Sequence, residues 1–260
     1  MNTVFEPCIP GKPQPTCRPD LFQQSAVLPP TDPGWLDRSP HPYRPLYVRD
    51  RYWINWAHER WDDARLYSPP PTERLHIRID DDWPLGSFLT RGDVLVLYEA
   101  AYFAGELVVE VGSGAGLSAC IMAEAAEGGF GAKVISIDVD AGRHDLARRN
   151  AQARGLPAEF RLGDGAVVLS TLLPASVDVA FIDGYHGYPE VQRDVAAAVS
   201  VLKPGAWLLA HDWASKTNLD PADQNKSWSA INDWMREHPG RLEFWGVSGI
   251  TGIFRRTTVD

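Results

Sequence analysis

The stretch Glu110-Val-Gly-Ser-Gly-Ala-Gly116 constrains this chain more than any other. An apolar run, Leu107-Val-Val109, leads into it, and a helix-like segment begins at Leu117. A strand that ends in three alternating glycines lets the backbone pass close to a ligand where a side chain would clash. A helix start directly behind it offers unsatisfied N–H groups to an anionic end. Together these predict the first strand–turn–helix of an α/β sheet, with a nucleotide-like cofactor lying across the turn.

Spacing decides which cofactor. A dinucleotide fingerprint, G-x-G-x-x-G, would place its third glycine at position 117, where the chain has Leu117. That argues against a nicotinamide-dependent oxidoreductase. The third glycine stands instead at 116, and an acid, Glu110, precedes the first by two residues. E-x-G-x-G-x-G resembles the first motif of class I S-adenosylmethionine-dependent methyltransferases. The resemblance implies that Glu110, Gly112, Ser113, Gly114 and Gly116 bind S-adenosylmethionine.

Four further signals follow in chain order. Val134-Ile-Ser-Ile-Asp138 is a β-branched run ending in an acid, and a helical stretch, 141–154, comes next. A carboxylate at that strand tip can accept both hydroxyls of a ribose, which makes Asp138 the candidate. Asp140, beside the helix start, suits an N-cap better. Phe160-Arg-Leu-Gly-Asp-Gly165 reads as a third strand and turn; Asp164 resembles the family's acid near the adenine amino group, and a plain turn aspartate is the alternative. Val177-Asp-Val-Ala-Phe-Ile-Asp183 is a buried-strand pattern with a charge at its end, followed by Gly184-Tyr-His-Gly-Tyr188. Pro204-Gly-Ala-Trp-Leu-Leu-Ala-His-Asp212 is a fifth strand that also ends in ionisable groups. Ligands of open α/β sheets gather outside the carboxyl ends of the strands, so two ionisable strand tips at one edge point to chemistry.

The resemblance spans residues 86 to 257. It implies a Rossmann-like, seven-stranded, mostly parallel sheet with helices on both faces and an antiparallel last strand. Gly86-Ser-Phe-Leu89 is similar to a segment of caffeoyl-CoA and catechol-type O-methyltransferases, and Phe181-Ile-Asp-Gly-Tyr-His186 to one of macrocin-type tailoring enzymes. Ser248-Gly-Ile-Thr-Gly-Ile-Phe-Arg-Arg256 looks like the last antiparallel strand of the group. An Asn/Asp-Pro-Pro-aromatic motif, frequent in nucleic-acid and amino-group methyltransferases, is replaced here by Asp183-Gly-Tyr-His186. The expected activity is O-methylation of a small-molecule hydroxyl. A non-catalytic scaffold that binds S-adenosylmethionine would keep Glu110, the glycines and Asp138, yet need no polar cluster at the fourth and fifth strand tips.

Deprotonating the acceptor can proceed in two ways. A divalent metal can hold the acceptor oxygen and lower its pKa. The metal-dependent relatives use an Asp after the fourth strand and an Asp-Asn or Asp-Asp pair after the fifth. Asp183 matches the first, and the pair reads His211-Asp212 here, a departure that shifts preference from Mg²⁺ toward Mn, Fe or Zn. Alternatively, in a metal-free O- or N-methyltransferase, His186 or His211 takes the proton directly, as a group titrating near neutrality. The sequence leaves both open and favours the metal, with Asp183, His211 and Asp212 as ligands.

Composition bounds the rest. The chain has 260 residues, enough for one core domain with an elaboration, and a formal net charge of −9 with no basic stripe, so no nucleic-acid partner is expected. Three cysteines form neither a disulfide framework nor a metal-type pair. Neither a spanning apolar stretch nor a signal peptide is visible, and a cytoplasmic protein without a membrane partner is expected. Residues 1–85 differ from the methyltransferase-like 86–260. They hold most of the prolines and half of the 10 tryptophans. This reads as an extended Pro/Trp-rich arm followed by one amphipathic helix over 49–67, with Trp53, Trp56 and Trp61 on it. Such an arm docks on the domain, covers a second copy in a homodimer, or lids the acceptor pocket. The polar stretch 213–226 is either an acceptor-contacting loop or a connection to a helix over 227–238.

Overall fold

The computed structural model describes residues 89, 91–248 and 250–258. The expected arm over 1–85, its helix and the Gly86-Ser-Phe88 segment lie outside the described residues. The elements are α1 (Arg91–Phe103), β1 (Leu107–Val111), α2 (Leu117–Gly128), β2 (Lys133–Asp138), α3 (Ala141–Ala153) and β3 (Ala158–Leu162), followed by α4 (Gly165–Leu169), β4 (Val177–Ile182), α5 (Tyr188–Val201), β5 (Leu202–Ala210), a 3₁₀ turn (Lys216–Leu219), α6 (Ser227–Glu237), β6 (Leu242–Ser248) and β7 (Thr251–Arg256).

The strands form one seven-stranded sheet in the order β3-β2-β1-β4-β5-β7-β6. β1 to β5 run parallel, while β7 is antiparallel to both of its neighbours. This is the architecture the sequence implied, with β7 wedged between β5 and β6. The chain winds outward from β1 to β3 and then returns to β4 on the other side of β1. A crevice opens outside the carboxyl ends where the winding reverses.

Helices cover both faces, so the central strands are apolar on both and read as near-continuous hydrophobic runs. Successive side chains point to opposite faces. Val108, Val134, Val179, Phe181, Leu209 and Ile253 pack with α1 and α2. Their neighbours Val109, Ile135, Ala180, Ile182, Leu208 and Phe254 pack with α5 and α6. Helix α3 starts at Asp140, whose side chain accepts the Arg143 N–H at 2.8 Å, the cap expected of it. At the opposite edge, buried Asp178 accepts the N–H groups of Glu106 (2.7 Å) and Leu107 (3.0 Å) and pairs with Lys203 at 2.7 Å. That cluster ties strand starts together, far from the crevice.

Among the described residues no helix is long and apolar enough to cross a membrane. The α1 side of the core rests on Leu97, which is fully buried. Leu97→Ala is expected to lower stability by about 2–5 kcal/mol. Exposed Val167→Ala should stay within about 0.5 kcal/mol of the parent. Urea midpoints of the two variants check both.

Candidate active site

The parallel ladder continues past the ends of the strands and fixes the crevice. Gly112 N–H donates to Ile137 C=O (2.8 Å), Asp183 N–H to Val111 C=O (2.8 Å) and His211 N–H to Ile182 C=O (3.0 Å). Residues 112, 183 and 211 therefore stand side by side at the tips of β1, β4 and β5.

All three motif glycines have positive φ: +100° at Gly112, +51° at Gly114 and +90° at Gly116. Their reasons differ. A Cβ at 112 would lie 2.1 Å from the Asp183 carbonyl oxygen, and one at 116 would lie 2.8 Å from the Ala147 Cα. These two glycines let β4 approach β1 and α3 approach α2. A Cβ at 114 would meet nothing within 4 Å, so this turn faces open space. Helix α2 behind it has no side-chain cap and no acid in its first turn, which leaves its N–H groups available to a carboxylate.

Glu110 is wholly buried beneath the turn. Ser118 and Ser136 donate to its two carboxylate oxygens, and Ser113 bonds Ser136 at 2.6 Å. Burial pushes the Glu110 carboxyl up to about 8, against the pull of the two serines and with help from Asp183 and Asp138. Asp138 accepts Gly114 N–H at 3.1 Å and Asp140 N–H at 2.9 Å. Each of its oxygens retains a second lone pair. Asp164 caps α4, accepting Val167 N–H at 3.1 Å, and pairs with Arg193 at 3.4 Å. The turn role is thus real at Asp164, beside whatever it does for a ligand.

Across the crevice an ionisable cluster assembles from the tips of β4 and β5. His211 Nδ1 lies 2.9 Å from Asp183 Oδ1, and His186 Nε2 lies 3.6 Å from the same oxygen. The donor atoms of Asp183, His186 and His211 all fall within 4.8 Å of one another, a group that could hold a metal ion. Asp212 stands just outside this set, 3.4 Å from His186 Nε2 and 3.8 Å from His211 Nδ1. His186, rather than Asp212, thus completes the group whose donor atoms come together. Asp212 has φ +57°, a conformation rare for a residue with a side chain. Its carbonyl accepts the side-chain amides of Asn218 (2.7 Å) and Asn225 (3.1 Å), which hold the turn. The 213–226 stretch is therefore partly a clamp. Trp213, read as its polar start, is buried and packs on Phe244 and Phe254.

Two members of the site escaped the sequence reading. Ser227, the first residue of α6, places its Oγ 3.3 Å from His186 Nδ1. Asp93, in the first turn of α1, is fully buried with Oδ2 3.7 Å from His211 Nε2. Its signal was an acid set in a helix buried along most of its length. Burial lowers the His211 pKa, but the Asp183 and Asp93 carboxylates outweigh it and hold the ring well above the ordinary histidine range.

Residues 109–213 match a family described as a methyltransferase domain. A ribosomal protein L11 methyltransferase from Symbiobacterium thermophilum is 32% identical over 178 residues, 65% of this chain and 50% of the relative. The chain thus spans about half the length of that curated relative. Among solved structures, the O-methyltransferase TomG from Streptomyces achromogenes superposes with a TM-score of 0.55 at 14% identity, over 82% of this chain and 92% of its own. An O-methyltransferase from Bacillus cereus, in complex with SAH, gives 0.51 at 16% identity, over 64% and 78%. At these identities the likeness is one of fold. Residues 109–213 thus match a methyltransferase domain, and the glycine motif and strand order around them fit that match.

The raised Glu110 pKa has a sign that can be read in solution. The folded carboxyl stays protonated up to about pH 8, whereas the unfolded one ionises from 4.5. Its contribution to stability is present below pH 4.5 and declines through that window, by about 1.4 kcal/mol per pH unit. In Glu110→Gln the amide keeps the size and can still pair with both serines. Thermal melts between pH 6 and 8 are expected to show a shallower decline for the variant than for the parent.

Proposed function

We propose that the protein transfers a methyl group from S-adenosylmethionine to a hydroxyl of a small molecule, with a divalent cation held on the acceptor side by Asp183, His186 and His211. The observation that carries this reading is the meeting of those three donor sets within 4.8 Å, one residue row away from the glycine turn. The donor supplies an electrophilic methyl group on a sulfonium. The chain supplies position. Gly114 offers bare backbone, Ser113 lines the turn beside Glu110, Asp138 accepts ribose hydroxyls, and Asp164 receives the adenine amino group beside its capping bond. The α2 N-terminus offers its N–H groups to the carboxylate end of the methionine moiety, and buried Glu110 supports the turn from beneath through Ser118 and Ser136.

On the acceptor side, one carboxylate and two imidazoles suit Mn²⁺, Fe²⁺ or Zn²⁺ better than Mg²⁺, and a cation there would make the acceptor hydroxyl a stronger acid. Asp212, beside both imidazoles, adds negative charge for that cation. A metal-free version is favoured by one observation. His211 is buried between Asp183 and Asp93, whose carboxylates hold its ring well above the ordinary histidine range, whereas His186 is about a quarter exposed. Without metal, His186 is then the base, oriented by Ser227 and Asp212. A scaffold that only binds the donor has no use for this cluster.

The division of labour can be tested from both sides. Dialysis against a chelator should abolish release of S-adenosylhomocysteine with hydroxyl acceptors, and Mn²⁺ should restore it; full activity in chelator would assign the proton to His186. Asp183→Ala should cost about 10²–10⁴-fold in rate while donor affinity, measured by calorimetry, is retained. Gly114→Ala should behave in the opposite way. With space around it and only a φ penalty of about 1 kcal/mol, it should fold and lose donor affinity.

A further inference from the structure

We infer that Asn150, on helix α3, is a positioning residue for the methyl donor: it ties the Ala115 carbonyl to α3, so that this oxygen is not free to oppose the carboxylate end of the methionine moiety at the α2 N-terminus. This rests on the donor reading given above and adds to it a residue from outside the glycine motif. The Asn150 side-chain amide donates to the Ala115 C=O at 2.8 Å, across 35 positions of sequence. At the other end of the same peptide unit, the Gly116 N–H donates to the Ser113 C=O at 2.7 Å. Both polar groups of the 115–116 peptide are therefore held. Ala147, three residues before Asn150 and on the same face of α3, is the residue a Cβ at 116 would strike. The helix thus offers the turn a small side chain for close approach and, one helical turn on, a donor for its carbonyl.

Glycine alone does not supply this arrangement. Ala115 lies between Gly114 at φ +51° and Gly116 at φ +90°. Glycine populates φ of either sign about as readily, so the two permit the observed turn without enforcing it. Helix α2 carries no side-chain cap and no acid in its first turn, which leaves its first N–H groups for an anion. A carbonyl oxygen released from α3 is the negative end of a peptide dipole, free to swing about the turn that must receive that anion. The glycines allow the productive peptide, and Asn150 selects it. A turn that visits several orientations binds with an affinity reduced by the fraction that is competent.

Two substitutions test the assignment. Asn150→Leu removes the donor at nearly constant volume and suits a helix, and Asn150→Ala removes donor and side chain together. In the full chain, calorimetry should show both variants binding S-adenosylhomocysteine about 10-fold more weakly, with decarboxylated S-adenosylhomocysteine, which lacks the anionic group, held within about 2-fold of the parent. A residue that merely braced α3 against α2 would weaken both compounds alike. Equal loss for the two, or loss for neither, would overturn the role of Asn150 and leave the donor reading standing. A parent that binds neither compound would overturn the donor reading, and the role of Asn150 with it. If the leucine variant does not fold, the alanine variant decides on the same terms.

Discussion

The missing side chain at position 112 is the constraint on which both halves of the site depend. Any Cβ there would collide with the main chain of Asp183, so only glycine lets the tip of β1 lie against the tip of β4. The ladder bonds of Gly112, Asp183 and His211 then align donor turn and ionisable cluster in one row. The topology explains why the row falls there, since the winding reverses between β1 and β4 and leaves the strand tips uncovered.

Much of this was legible in the residues. The apolar runs of β1, β2, β4 and β5 are buried on both faces and therefore could be read as strands without any alternation. Asp138, Asp183, His211 and Asp212 stand at or directly after strand ends, so finding the strands found them. Asp140 was legible as a cap because its position before a helix is a local property.

What escaped depends on contacts between segments distant in sequence. Asp93 is 118 positions from His211 by numbering, and its neighbours Ile250 and Thr251 come from the far end of the chain. No local pattern links them. Ser227 meets His186 only because α6 packs beside α5. The glycines were legible as a motif but not in their separate roles: position 112 serves strand approach, 116 serves helix approach, and 114 alone opens onto space. Trp213 looked like part of a polar loop because its neighbours are polar, yet its ring fills the core against Phe244 and Phe254.

The site thus joins a cradle of backbone and buried acid to a cluster of carboxylates and imidazoles, and each part is built by a different segment. The central claim is that the cradle receives a sulfonium donor. Calorimetric titration of the full chain with S-adenosylhomocysteine, set beside the same titration with NADH, tests it most directly. The account predicts saturable one-to-one binding of S-adenosylhomocysteine and no heat with NADH. Binding of NADH with none of S-adenosylhomocysteine would contradict it.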